Sequence, residues 1–191
     1  MADTVIANPA PLGLAGFGLT TVLLSCVNAG LLPPGGEPVV IPLAMAFGGT
    51  AQLIAGIMEF KTGNTFGATA FTGYGAFWWW FALLLVFGDN HLLDLSGAGG
   101  AIGVCLLLWG VFTFGLWVST FRLIRLLFLI FLTLWIAFFL LGFGALLGNP
   151  ALHTAGGWVG LVCGTLALYG SFALVANTTF GREVAPVGTR P

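Results

Sequence analysis

Six long apolar stretches, separated by short polar or Pro/Gly-rich breaks, dominate the sequence. A bilayer core about 30 Å thick is crossed by roughly 20 residues of α-helix at about 1.5 Å each, and every stretch reaches that length. We therefore predict an all-α integral membrane protein with six transmembrane helices in a single bundle. The predicted spans are Leu12–Leu32, Val39–Phe60, Ala68–Phe87, Gly99–Ser119, Leu126–Leu147 and Thr154–Ala176.

The connections between the predicted spans are short, so consecutive spans should run antiparallel within one domain, residues 12–176. Residues 1–11 precede it as an N-terminal segment, and residues 177–191 follow as a polar C-terminal tail that we expect to be disordered. No charged n-region and no A-x-A cleavage site precede the first span, which is therefore expected to stay in the mature protein. A transmembrane β-barrel would need alternating segments of about ten residues, which the sequence lacks.

All the basic residues fall on one side of the predicted bundle. They follow the second, fourth and sixth spans, whereas the alternate connections carry no Lys or Arg. Cytoplasmic segments of membrane proteins are enriched in Lys and Arg, so this side, with both chain termini, is predicted to be cytoplasmic. The expected location is the plasma (inner) membrane, crossed several times. The five cations are Lys61, Arg122, Arg125, Arg182 and Arg190.

The composition excludes several classes of function. Charged residues make up 6% of the chain, hydrophobic residues 59%, and the net charge is −1, so there is no basic surface for nucleic acid. The 3 cysteines lie singly in apolar runs without CxxC spacing, so neither a zinc cluster nor a disulfide framework is indicated. No nucleophile is paired with a base, and no two carboxylates share a helix face. We therefore expect no enzymatic activity, no metal and no cofactor.

The predicted spans carry no Asp, Glu, Lys, Arg or His near their centres, where such residues ordinarily mark ion-coupled sites. Glu59 and Lys61 stand at the inner end of the second span, and we interpret them as boundary residues that reach headgroups or water. Gln52 lies near the middle of the same span, where an unsatisfied amide in hydrocarbon costs several kcal/mol. Gln52 must therefore face protein or water.

The first predicted span carries a mixed aromatic and polar stripe. Its members recur at helical spacing and are Phe17, Thr20 or Thr21, Leu24 and Asn28. One interpretation is a narrow pore, in which hydroxyls, an amide and aromatic rings contact a small solute while apolar constrictions exclude hydrated ions. The other is hydrogen bonding between helices, which Ser, Thr and Gln commonly provide in membranes. The residues alone leave both interpretations open.

Two predicted helix starts share the tripeptide Asn-Pro-Ala. Asn8-Pro9-Ala10 precedes the first span, and Asn149-Pro150-Ala151 precedes the last. Asn is a favoured N-cap residue, and Pro is favoured at the first helical position. We therefore expect Asn8 to cap the first helix and Pro9 to open it.

The first of these starts continues into a longer motif. Asn8-Pro9-Ala10-Pro11-Leu12-Gly13-Leu14, followed by Gly16-Phe17-Gly18, resembles the NPAPLGL signature of the acetate uptake transporter family. That family includes bacterial succinate–acetate permeases and fungal acetate and ammonium-export proteins. Further blocks that match it are Gly48–Gln52, Lys61–Gly67, Ala70–Gly75, Phe77-Trp78, Leu108–Thr113 and Phe180–Arg182.

The resemblance implies a homo-hexameric ring of six-helix protomers, each with its own pore for small monocarboxylates or succinate. It also implies which residues form that pore. The implied constriction residues are Phe17, Tyr74 and Leu134. The third of them has two alternatives in the sequence, Leu132 and Ile136. The implied solute contacts are Thr20, Gln52 and Ala167.

We predict a membrane permease or channel for acetate and related small carboxylates such as succinate, which would cross through a narrow uncharged pore. A channel for a small neutral solute such as urea or ammonia is an alternative, because an uncharged lining does not require an anion. A non-transporting membrane scaffold is another, in which aromatic and glycine-rich faces serve only lateral assembly. The choice between a channel and a proton-coupled carrier stays open. A pore without buried charge holds no proton on its own side chains, but coupling could still arise if the protonated acid itself crosses.

Overall fold

The computed structural model describes residues 6–33 and 35–189, and over these residues it contains helices and their connections but no strand. Six of the helices are long and apolar enough to cross a membrane. They are α1 (Ala10–Asn28), α2 (Glu37–Thr62), α3 (Thr65–Asp89), α4 (Gly99–Ser119), α5 (Arg125–Leu147) and α6 (Pro150–Phe180). The six predicted spans are thereby confirmed, and the chain is a multi-pass membrane protein. Residues 1–5 of the predicted N-terminal segment, Pro34 and the last cation, Arg190, lie outside the described residues.

The last helix is longer than its predicted span, Thr154–Ala176. It begins at Pro150, because the side chain of Asn149 accepts hydrogen bonds from two backbone N–H groups of the first turn at 3.0 and 3.2 Å. It ends at Phe180, where Gly181 adopts a left-handed conformation with φ of +62°. The local capping residues therefore set the helix ends, several residues beyond the apolar run.

The start of α1 differs from the prediction. The helix begins at Ala10, so Pro9 occupies the N-cap position and the expected cap at Asn8 is wrong. Asn8 instead accepts one hydrogen bond, from the N–H of Ala10 at 3.0 Å. Pro9 and Pro11 have no N–H group, so Ala10 is the one residue of this first turn whose backbone can donate to the Asn8 side chain.

The middle of α2 is not a regular α-helix. Residues Ala44–Ala51 form a π-helical segment, which follows Pro42 and ends immediately before Gln52. Within it the hydroxyl of Thr50 donates to the carbonyl of Met45, five residues earlier, at 2.8 Å. Pro42 supplies no N–H to the ladder, and the wider turn changes the direction in which the following side chains project. The sequence analysis treated this span as regular and missed the segment.

The helices form a ring in which α3, α2, α1, α6, α5 and α4 follow one another and α3 meets α4. The α1–α6 pair is the most extensive contact, and it depends on Gly18 and Gly164. A Cβ atom on Gly18 would lie 2.9 Å from the carbonyl oxygen of Gly164, and one on Gly164 would lie 3.0 Å from the oxygen of Gly18. Small residues of this kind let membrane helices approach closely.

Helix α4 is peripheral. It packs chiefly against α5, and its buried residues are Gly103, Gly110 and Thr113. The centre of the ring is filled instead by side chains of the other helices, such as the Phe77–Phe138 ring pair between α3 and α5 at 5.2 Å. The candidate site therefore belongs to the five inner helices.

The C-terminal tail is ordered where the structure describes it, so the expectation of disorder is wrong. The hydroxyl of Tyr169 donates to the carbonyl of Pro186 at 2.8 Å, and Asn177 holds the backbone of residues 184–185. The N–H of Arg125 donates to the carbonyl of Gly188 at 2.8 Å, and Val187 is buried. The first N–H groups of a helix have no partner within that helix, and the tail supplies acceptors at the start of α5.

Candidate functional site

Two cavities lie one above the other along the middle of the ring. The inner cavity, about 80 Å³, reaches toward Asn64 and Ile124, at the end of the bundle predicted to be cytoplasmic. The outer cavity, about 50 Å³, reaches toward Asn28 at the opposite end. A cavity of about 10–15 Å³ holds one water molecule, so each has room for a small solute. Phe17 and Leu134 line both cavities and form the wall between them.

The structure brings the three predicted constriction residues together from three helices. Phe17, Tyr74 and Leu134 are 6%, 3% and 5% exposed, and the ring centroids of Phe17 and Tyr74 are 5.7 Å apart. Tyr74 lines the inner cavity, below the shared wall. The alternatives Leu132 and Ile136 line neither cavity, which distinguishes Leu134 from them.

The hydroxyl of Tyr74 is engaged with the peripheral helix. It donates to Oγ1 of Thr113 at 3.0 Å, and the Thr113 hydroxyl in turn donates to the carbonyl of Trp109 at 2.7 Å. These bonds link α4 to the wall of the inner cavity, although α4 itself lines neither cavity. Tyr74 therefore lines the inner cavity, while its hydroxyl is hydrogen-bonded to the peripheral helix.

Gln52 lines the inner cavity, and its amide has no hydrogen-bond partner. The residue is 0% exposed, and neither Nε2 nor Oε1 is bonded. A buried polar group without a partner costs about 1–3 kcal/mol. An amide in this state can donate to a carboxylate oxygen or accept from a neutral solute, and either contact would relieve that cost.

The other two predicted solute contacts, Thr20 and Ala167, are fully buried but line neither cavity. The Thr20 hydroxyl donates to the carbonyl of Gly16 at 2.8 Å, within its own helix. The same hydroxyl faces Gly48, where an added Cβ would lie 2.7 Å from it. Thr20 therefore lies in the contact between α1 and α2.

The stripe on the first span lines the outer cavity. Of the two threonines that the spacing allowed, Thr21 belongs to the lining together with Phe17, Leu24 and Asn28. At the mouth of this cavity, Nε2 of His153 lies 3.2 Å from Oδ1 of Asn28. The helical periodicity thus predicted which face of α1 is turned inward.

Glu59 does not reach headgroups or water, so its interpretation as a boundary residue is wrong. Its side chain is 1% exposed, and Oε2 accepts a hydrogen bond from Nδ2 of Asn64 at 2.9 Å. Oγ1 of Thr62 lies 3.1 Å from Oε2 and 2.9 Å from the backbone carbonyl of Glu59, and its one proton is shared between them. The chain turns at Gly63, with φ of +75°, and so folds the start of α3 over the carboxyl group. The sequence signal for this was the short Lys61–Asn64 connection, which leaves little room between the two helices.

Among residues 6–33 and 35–189, no group of His, Cys, Asp and Glu side chains could hold a metal ion.

The sequence matches the GPR1/FUN34/yaaH family over residues 1–187. The chain belongs to this family. The resemblance inferred from the NPAPLGL signature is confirmed. The chain is 44% identical over 188 residues to the succinate-acetate/proton symporter SatP of Escherichia coli (strain K12), across 98% of both chains.

Two further relatives extend the comparison. Acetate permease A of Emericella nidulans is 40% identical over 199 residues, which cover 97% of this chain and 67% of that protein. The solved structure of the bacterial acetate channel SatP matches with a TM-score of 0.92 and 43% identity, over 96% of this chain and 100% of that one. These GPR1/FUN34/yaaH proteins are named as transporters and channels, not as enzymes.

Proposed function

We propose that this protein is a plasma-membrane permease or channel for acetate and related small carboxylates such as succinate. The observation that carries the proposal is the pair of cavities that meet at Phe17 and Leu134, with the unpartnered amide of Gln52 in the inner one. The names of the relatives, a succinate-acetate symporter, an acetate permease and an acetate channel, support the same substrate class.

The proposed pathway suits a small carboxylate because its two kinds of lining match the two ends of the solute. The methyl group of acetate packs against the apolar walls, while one carboxylate oxygen accepts from Nε2 of Gln52. The wall at Phe17 and Leu134, with the ring of Tyr74 beside it, presents no charge that could replace the water around a hydrated ion. We assign direct solute contact to Gln52, and we assign Thr20 and Ala167 to the packing around it.

The proposal includes assembly and orientation. Six copies form a ring in which each protomer keeps its own pore, and the termini lie in the cytoplasm. The described cations Lys61, Arg122, Arg125 and Arg182 all lie at the inner end of the bundle, which agrees with the positive-inside tendency. Native mass spectrometry should give six protomers per complex, and a reporter fused to the C-terminus should be active only in the cytoplasm. A monomer, or a reporter outside the cell, would contradict these two assignments.

The substrate class is tested by flux into proteoliposomes. Purified protein is reconstituted, and the initial uptake of labelled acetate, succinate and urea is compared with that of protein-free liposomes. We expect saturable acetate uptake and no acceleration of urea. Faster urea uptake without acetate uptake would favour the neutral-solute channel, and the absence of any accelerated flux would favour the scaffold.

A further inference from the structure

Glu59 is a buried acid whose two carboxyl oxygens differ in their hydrogen bonding. Oε2 accepts from Asn64 and shares the single hydroxyl proton of Thr62 with the backbone carbonyl of Glu59, whereas Oε1 is buried and has no hydrogen-bond partner. Buried carboxylates are ordinarily paired with a cation or fully hydrogen-bonded. Here one oxygen is left able to carry a proton.

Helices α1 and α3 pack against α2, which carries Glu59. The other titratable side chains on these three helices are Lys61, Tyr74 and, toward the opposite end of the bundle, Cys26, Glu37 and Asp89. Lys61 is exposed, and the Tyr74 hydroxyl is bonded to Thr113. The described residues of these helices therefore place no cation against the Glu59 carboxyl group.

The carboxyl group lies directly behind the wall of the inner cavity. Gly67 and Asn64 both line that cavity, and Asn64 donates to Glu59. A Cβ atom on Gly67 would lie 2.9 Å from Cδ of Glu59 and 3.0 Å from Oε1. The glycine thus leaves the space that the carboxyl group occupies, and Gly67 and the side chain of Asn64 separate Glu59 from a solute in the cavity.

We propose that Glu59 is a proton-binding site coupled to carboxylate binding in the inner cavity. An ionised Glu59 and a carboxylate anion in the cavity repel each other, because like charges interact across the protein interior with less screening than in bulk water. When Glu59 takes up one proton, its carboxylate becomes a neutral carboxyl group and the repulsion disappears. The site then holds one proton and one anion, and no other charge changes.

This coupling rests on the proposed function, because it needs a carboxylate in the cavity. Coupling between two binding sites is reciprocal, so the bound anion favours the proton on Glu59 as much as the proton favours the anion. The proton is held by the protein, not by the solute. That feature separates this mechanism from the passage of neutral acetic acid.

The test is calorimetry of acetate binding to the purified full-length protein, across a pH series and in two buffers with different heats of ionisation. The wild type should take up as much as one proton per acetate, and its affinity should fall as the pH rises. Glu59→Gln should bind acetate without proton uptake and with an affinity that no longer depends on pH. Glu37→Gln, the same change at an exposed glutamate of α2, should behave as the wild type.

Proton uptake retained in Glu59→Gln would overturn the inference, as would wild-type binding without proton uptake at every pH. If wild-type protein neither binds nor transports acetate, the proposed function itself fails, which is a different result. If Glu59→Gln fails to fold, infrared difference spectra of the wild type with ¹³C-carboxyl acetate show whether the protein or the solute carries the proton. A protonated carboxyl band that is unmoved by the label supports Glu59, and a band that shifts places the proton on the solute and overturns the inference.

Discussion

The two cavities share the wall at Phe17 and Leu134 but differ in the polar groups that they offer. The inner cavity has the long amide of Gln52, with a donor and an acceptor both unpartnered. The outer cavity has the buried hydroxyl of Thr21 and the buried indole Nε1 of Trp78, both without a partner. The Cδ1 edge of the Trp78 ring packs against α2, where a Cβ atom on Gly48 would lie 2.9 Å from it. Asn28 of the outer cavity is already in contact with His153.

This difference indicates that the two cavities have different roles. A carboxylate needs a hydrogen-bond donor that reaches it, and Gln52 supplies one from a position beside the shared wall. We infer that the outer cavity is better suited to passage than to binding, because the Trp78 ring turns its Cδ1 edge to α2 and the Thr21 hydroxyl is on a short side chain. We therefore expect substitutions in the inner cavity to change affinity and rate, and those in the outer cavity to change little.

The largest effect is expected for Gln52→Leu. The substitution removes the donor and leaves a bound carboxylate oxygen unpaired, at about 1–3 kcal/mol, which corresponds to a loss of acetate transport of roughly tenfold or more. Initial uptake of labelled acetate into proteoliposomes measures it, with size-exclusion chromatography as the check on assembly. Wild-type uptake in this variant would assign Gln52 to helix packing and remove the distinction between the cavities.

Leu134→Ala and Phe17→Ala should merge the two cavities. Each removes part of the shared wall, so uptake of butyrate relative to acetate should rise several-fold, and Leu134→Ala should also lower stability by about 2–5 kcal/mol. Leu147→Ala is the matched control, since Leu147 is on the same helix but 67% exposed. Unchanged size selectivity in both variants, with normal expression, would show that this wall does not limit the solute.

Tyr74→Phe tests whether the ring or the hydroxyl matters at the inner cavity. The ring is retained, while the 3.0 Å bond to Thr113 is lost, so stability should fall by about 1 kcal/mol with size selectivity unchanged. Tyr74→Ala, in contrast, should admit longer acids. Thermal unfolding and the butyrate-to-acetate uptake ratio measure the two effects separately, and a changed ratio in Tyr74→Phe would contradict the assignment.

The smallest effect is expected for Thr21→Val in the outer cavity. The side chains have nearly the same shape, and a membrane-protein hydrogen bond is worth about 0.6 kcal/mol on average, so acetate uptake should change by less than about threefold. The same uptake assay measures it. A loss as large as that of Gln52→Leu would mean that both cavities bind the carboxylate.

Some parts of the site could be predicted because a sequence pattern corresponds directly to geometry. Phe17, Leu24 and Asn28 follow helical spacing, and a helix of any kind places them on one face. Gln52 stands out because an amide is conspicuous in an apolar span. Glu59 was misassigned for the opposite reason, since a charged residue at a helix end is ordinarily solvated and nothing local showed that the next helix folds over it.

The sequence by itself determined that the chain crosses the membrane six times, because a bilayer requires each apolar segment to satisfy its backbone hydrogen bonds within a helix. The predicted bounds of the fourth span, Gly99–Ser119, coincide with those of α4. Only the tertiary structure decided that Gly18 of α1 packs against Gly164 of α6 and that the tail folds onto α5. Outside the polar stripe of α1, the lipid-facing and core-facing positions of these helices are both largely apolar. The sequence there has little contrast from which to read the inward face, and the packing of neighbouring helices supplies it.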